Sequence, residues 1–157
     1  MSKIKYRPCV GMMLFNKDNL IFTGQRIDSD TSAWQMPQGG IDENETPLQA
    51  VYRELKEEIG TDNVKVICQL EKWLSYDLPD ELRKKLWKGK YRGQKQKWFA
   101  LKYLGEDKDI NISLENPEFK KWKWLNPIDL PNIAIGFKKE IYLKLLNELV
   151  PMAQKEL

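Results

Sequence analysis

The chain has 157 residues, with 26 Lys and Arg against 23 Asp and Glu for a net charge of +3, and it contains no histidine. That absence removes Ser-His-Asp and Cys-His nucleophile systems, helical zinc-protease motifs and every histidine-ligated metal, and leaves carboxylates, Lys, Arg, Tyr or an oxygen-held metal to do any chemistry. Cys9 and Cys68 form no CxxC pair and no disulfide framework, which points to two buried thiols in a reducing cytoplasm and excludes zinc.

With 41% hydrophobic and 31% charged residues the composition is that of a soluble globular protein, and its length suits a single domain over 1–157. The apolar run Cys9 to Phe15 is too short for a secretory core or a membrane span.

In chain order, Pro8 to Phe15 reads as a buried strand, Asp18-Asn19 as a turn and Leu20 to Arg26 as the antiparallel partner. Trp34 to Met36 reads as a short strand and Pro37 to Gly40 as a loop. The clearest helix follows, capped by Thr46, opened by Pro47 and ended by Gly60. Val64 to Leu74 reads as one long strand, Asp80 to Trp87 as a short helix or turn, Lys97 to Leu104 and Phe119 to Leu125 as strands. A last amphipathic helix is predicted from Phe137 to Val150, with Ile141, Leu145 and Leu149 on one stripe. Strands alternating with helices predict an α/β fold, a mixed sheet with helices on both sides.

Charge is segregated along this chain. Asp42 to Glu58 holds six acids and two bases, whereas Arg83 to Lys97 holds eight bases and no acid. A cation site beside a polyanion site would need both. On the helix from Pro47 to Ile59, a turn of about 100° per residue puts Leu48, Val51, Tyr52, Leu55 and Ile59 on one arc, the core face. Glu54, Glu57 and Glu58 share the adjoining arc and none is followed by a base four residues on, an arrangement expected to cost stability unless solvent or a divalent cation offsets it. Oxygen donors of this kind suit Mg²⁺, with Mn²⁺ as a substitute.

The segment from Gly39 through Glu45 to Arg53-Glu54-Leu55-Lys56-Glu57-Glu58-Ile59-Gly60-Thr61 resembles the Nudix hydrolase signature at every fixed charged and glycine position. Only its final slot departs, holding Thr61 where a bulky aliphatic is usual. The resemblance implies an α/β/α sandwich, Glu54, Glu57 and Glu58 as metal ligands, and a Glu45–Arg53 salt bridge holding loop to helix. It also implies attack of water on a phosphorus of a substituted nucleoside diphosphate, with Glu57 or Glu54 as the base.

Further stretches, among them Trp34-Gln35-Met36-Pro37-Gln38-Gly39-Gly40, Tyr91 to Phe99, Asn116-Pro117-Glu118-Phe119 and Phe137-Lys138-Lys139-Glu140, are similar to the branch holding bacterial RNA pyrophosphohydrolases and dinucleoside tetraphosphate hydrolases. That similarity implies Glu118 as a further metal ligand, Arg7 and Tyr76 as phosphate contacts and Phe137 as a base-stacking ring. Lys95 and Lys97, two apart on a strand, share one face and are candidates to approach the phosphates from the side opposite the acidic helix.

The expected activity is removal of pyrophosphate from triphosphorylated RNA 5′ ends by a monomer. Hydrolysis of diadenosine tetraphosphate or pentaphosphate is the alternative, and a noncatalytic nucleotide- or RNA-binding module the remote one.

Overall fold

The computed structural model describes residues 5–27, 33–86, 89–134, 136 and 138–157. Strands β1 (Tyr6–Phe15) and β2 (Ile21–Arg26) form the opening hairpin. Asn16 shapes its turn by accepting from the Asp18 and Leu20 N–H groups. The strands pair at Phe15 and Ile21, and the chain that follows wedges between their far ends. Gln35 exchanges two backbone hydrogen bonds of 2.8 Å with Gly24 of β2, and β3 (Gln38–Gly40) pairs antiparallel with Cys9 to Gly11 of β1. The predicted strand at Trp34 to Met36 is therefore a single bridge at Gln35, and the predicted loop at Gln38 to Gly40 is a strand.

Helix α1 (Pro47–Ile59) begins and ends where its sequence dictates. The Thr46 hydroxyl accepts from the Gln49 N–H while the Gln49 side chain accepts from the Thr46 N–H, and Gly60 closes the helix at φ +79°, a left-handed position that favours glycine. Ala50, Val51, Leu55 and Ile59 are buried, but Leu48 is 43% exposed. Glu58 is buried instead, so the core face is turned toward the acidic arc.

The predicted strand Val64 to Leu74 is two strands, β4 (Val64–Gln69) and β5 (Leu74–Asp77), both antiparallel to β6 (Gly93–Tyr103). Strand β6 starts four residues before its predicted position. A short helix, α2 (Asp80–Lys85), lies between β5 and β6 and has no buried residue. Strand β7 (Phe119–Leu125) pairs with β2 and occupies the predicted span. The short α3 (Leu130–Ile133) leads to α4 (Lys138–Gln154), which continues past the predicted end at Val150. Trp87 and Phe137 lie outside the described residues.

The sheet runs β4-β6-β1-β2-β7, with β3 beside β1 and β5 beside β6. Its β1–β6 pair is parallel and the other pairs are antiparallel, so the sheet is mixed. Strand alternation sends Val10, Met12, Leu14, Phe99 and Leu101 to the α1 side, and Met13, Phe15, Trp98 and Ala100 to the side covered by Ile141, Tyr142, Leu145 and Leu149 of α4. One helix on each side of a mixed sheet gives the α/β/α sandwich. None of the described helices is long and apolar enough to cross a membrane.

Candidate active site

Strand β3 and helix α1 meet without a side chain between them. A Cβ on Gly39 would overlap the Glu54 carboxylate, and one on Gly40 would overlap the Arg7 guanidinium. Two adjacent glycines thus touch an acid with one residue and a base with the next. Arg53 ties this junction down. Its Nε and Nη2 donate to the two oxygens of Glu45 at 2.7 and 2.8 Å, Nη2 also donates to the Gly40 carbonyl at 2.8 Å, and Nη1 donates to Glu54 at 2.9 Å and Glu57 at 3.3 Å. Glu45 in turn accepts from the Asp42 N–H at 2.9 Å. The bidentate guanidinium holds the Glu45 carboxyl down at about 2.

Three carboxylates of α1 end in different surroundings. Glu57 is open to solvent with 60% of its side chain exposed, Glu54 keeps 13%, and Glu58 is buried at 6%. Burial first, then Arg53 acting the other way and repulsion from Glu57 and Glu118, leaves the Glu54 carboxyl raised to about 7. Burial and the nearby Glu54 and Glu118 push Glu58 well above the carboxylate range. Among the described residues, Glu58 Oε2 is the buried side-chain polar atom without a hydrogen-bond partner. An orphaned buried carboxylate oxygen beside like charges calls for a cation.

Glu118 reaches this cluster from the entry to β7. Phe119, buried next to it, packs on the bare backbone of Gly24, and the Glu118 carbonyl accepts from the Ile27 N–H at 2.9 Å. Glu54, Glu58 and Glu118 form a ridge between two hollows. The first, of 370 Å³, has Arg7, Arg26 and Lys138 as its basic residues. Gln38, Gln94 and Tyr76 line it as well, and Leu78, Leu82 and Leu86 give it an apolar wall. The second is acidic, with Glu57 and Glu115 added to the ridge.

An all-carboxylate donor set and the orphaned Glu58 oxygen fit a hard divalent cation. Among the described residues no three carboxylates are already gathered as a cage. Arg53 draws Glu54 and Glu57 to itself, and bare carboxylates repel one another.

The remaining expected contacts are divided. Arg7 and Tyr76 line the first hollow. Lys95 and Lys97 leave β6 on the other face from Gln94 and Gln96. Lys95 Nζ lies 5.2 Å from the centre of the Trp73 ring, and Lys97 Nζ donates to the Glu71 carbonyl at 2.6 Å. Phe137 is outside the described residues. Arg26, Gln38, Gln94, Glu115 and Lys138 line these hollows without an expected role from the sequence. For the glutamines, strand alternation was the available signal, since Gln94 and Gln96 share the face of Trp98. Neither cysteine is a nucleophile candidate: both are free thiols, and burial pushes Cys9 up to about 11.

The NUDIX domain family matches residues 5–145. An RNA pyrophosphohydrolase of Wolbachia pipientis from Culex pipiens is 56% identical over 145 residues, covering 92% of this chain and 89% of that protein. Among solved structures, the Escherichia coli dihydroneopterin triphosphate pyrophosphohydrolase superposes with a TM-score of 0.67 at 21% identity, covering 92% of this chain and 99% of the other. A Caenorhabditis elegans Ap4A hydrolase does so with a TM-score of 0.64 at 21% identity, covering 91% and 98%. With its signature helix, its sandwich and a match over most of its length, the chain belongs to the NUDIX domain family.

Proposed function

We propose that the chain is a metal-dependent RNA pyrophosphohydrolase. It removes pyrophosphate from the triphosphorylated 5′ end of RNA and leaves a 5′-monophosphate, so promoting mRNA decay, and it acts as a cytoplasmic monomer of one domain. The observation that carries this reading is the ridge of Glu54, Glu58 and Glu118 along a hollow that also holds Arg7, Arg26 and Lys138. A polyphosphate needs both signs of charge together, cations on its own oxygens and a carboxylate-held metal at the reacting phosphorus. The relative at 56% identity is named for this activity.

Nudix hydrolases use divalent cations, and here Glu54, Glu57, Glu58 and Glu118 would hold one, Mg²⁺ first and Mn²⁺ as a substitute. When bound, the cation neutralises phosphate charge and lowers the pKa of a water. The protein's own groups do the rest. Arg7, Arg26 and Lys138 bind and orient the phosphate chain. Glu57, the most exposed of the helix acids, accepts the proton of the attacking water, with Glu54 as the other candidate base. The new water–phosphorus bond forms as the anhydride bond between the α and β phosphates breaks, and pyrophosphate departs.

Dinucleoside polyphosphate hydrolysis is the second reading, favoured by the fold shared with an Ap4A hydrolase. A parallel assay with Mg²⁺ separates them, offering triphosphorylated RNA, diadenosine tetraphosphate and free nucleoside triphosphates. Pyrophosphate release from RNA is expected to be fastest. ATP formation from the dinucleotide at a far higher rate would reverse the order.

A further inference from the structure

A chain of side-chain hydrogen bonds runs from the buried core to the floor of the basic hollow. It begins at Trp98, which is fully buried, lies on the bare backbone of Gly11 and meets Tyr142 edge-on at a ring-centre distance of 6.2 Å. Its indole Nε1 donates to Gln96 Oε1 at 2.9 Å. An indole N–H is a donor and nothing else, so this bond settles which end of the Gln96 amide is oxygen. Gln96, 1% exposed, must then turn its Nε2 the other way, where it donates to Gln38 Oε1 at 3.0 Å and Gln94 Oε1 at 3.2 Å. Gln94 Oε1 accepts a second bond, 2.7 Å, from the Tyr76 hydroxyl.

With both oxygens committed, Gln38 and Gln94 are left with their NH₂ groups. Neither nitrogen is a buried atom lacking a partner, and both residues line the hollow, so these donors open into it. Gln94 is the register partner of Arg7 across β1 and β6, and Gln38 pairs with Gly11 across β1 and β3. The floor beside the guanidinium is thus made of uncharged donors. A polyphosphate chain offers acceptors only.

We propose that Trp98 is a positioning residue whose indole N–H, through Gln96, fixes the amides of Gln38 and Gln94 so that they present donors to the phosphate oxygens of the substrate. Without that bond Gln96 is free to reverse, and either amide can turn an oxygen toward the phosphates, replacing attraction by repulsion. The relay also commits the Tyr76 proton inward to Gln94, so the amides rather than that hydroxyl supply the neutral donors.

This inference rests on the reading of the hollow as a polyphosphate site, and its test uses a readout separate from RNA turnover. Affinity for inorganic tripolyphosphate with Mg²⁺, measured by calorimetry, is compared in the wild type, Trp98→Phe and Gln94→Glu. Trp98→Phe keeps a buried ring and removes the donor; Gln94→Glu keeps the acceptor for Tyr76 and Gln96 and replaces the NH₂ group by oxygen. About a tenfold weaker affinity is expected for Trp98→Phe and a larger loss for Gln94→Glu. With triphosphorylated RNA, KM should rise while kcat stays within about twofold, the mark of lost uniform binding.

A role confined to packing would lower thermal stability and leave affinity and KM alone. Wild-type affinity in folded Trp98→Phe would overturn the proposal. If that variant does not fold, wild-type affinity in Gln94→Glu overturns it equally, as does a wild type that does not bind tripolyphosphate. A wild type that binds tripolyphosphate tightly and prefers diadenosine tetraphosphate to RNA would reverse the substrate reading and leave the relay standing.

Discussion

The carboxylate of Glu54 rests against the backbone of Gly39, in space that any side chain at that position would fill. The contact joins the edge of the β3 wedge to the acidic helix. Gly39→Ala should therefore displace Glu54 from Arg53 and from the ridge while the backbone of β3 accepts the change. Misplacement of a catalytic group by about 1 Å costs on the order of 10²-fold in rate, and kcat should fall by about that factor. Thermal unfolding alongside kinetics checks it; a kcat within twofold of wild type would show that Glu54 has room to move without consequence.

Arg53 holds four hydrogen-bond partners at once, and a lysine cannot. Arg53→Lys keeps the charge and loses the fork that spans Glu45 and the Gly40 carbonyl. The expected loss is about 2 kcal/mol of stability, read from urea unfolding, with activity falling further because loop and helix are no longer fixed together. Unchanged stability would reduce this network to a solvent-screened surface feature.

Acid should probe the same link. The Glu45 carboxyl lies at about 2 instead of 4.5, so the folded protein binds that proton more weakly than the unfolded chain does. The resulting stabilisation is complete above about pH 4.5 and is lost as the pH falls toward 2. Glu45→Gln should be less stable than wild type at pH 6, with the gap closing between pH 4.5 and 2. A gap of constant size would mean that the pair contributes nothing through its charge.

Glu58 opposes the fold that contains it. Its buried, partnerless oxygen faces repulsion from Glu54 and Glu118. Glu58→Gln should raise metal-free stability by about 1 kcal/mol, shrink the increase in melting temperature that Mg²⁺ produces, and lower turnover. A metal-free protein made less stable by the change would identify Glu58 as a structural acid.

Much of this architecture was legible because local chemistry and global fold agree there. Thr46, Pro47 and Gly60 set the ends of α1 by capping alone, an apolar run and the turn after it placed β1 and β2, and alternation placed β7. Strand β3 was missed because Gln38-Gly39-Gly40 has no intrinsic strand preference and pairs only where β1 and β2 part. The break between β4 and β5 was hidden for a related reason. The register of β4 shifts at Cys68, Leu70 still donates to the Trp98 carbonyl, and pairing resumes only at Leu74 opposite Gln96.

Within the site, charge made the acids of α1 visible, but periodicity could not say that Glu58 would be buried while Leu48 stayed exposed. The glutamine relay left no charge signal, since uncharged amides acquire direction only from the group they meet in three dimensions.

The proposed function requires Glu57 and its neighbours to turn over a triphosphate. The most direct test is single-turnover release of pyrophosphate from 5′-triphosphorylated RNA with Mg²⁺, comparing the wild type with Glu57→Gln, the two matched in melting temperature. Release by the wild type and its loss in the folded variant is the predicted result. A variant that releases pyrophosphate at a rate near that of the wild type would contradict the proposed function.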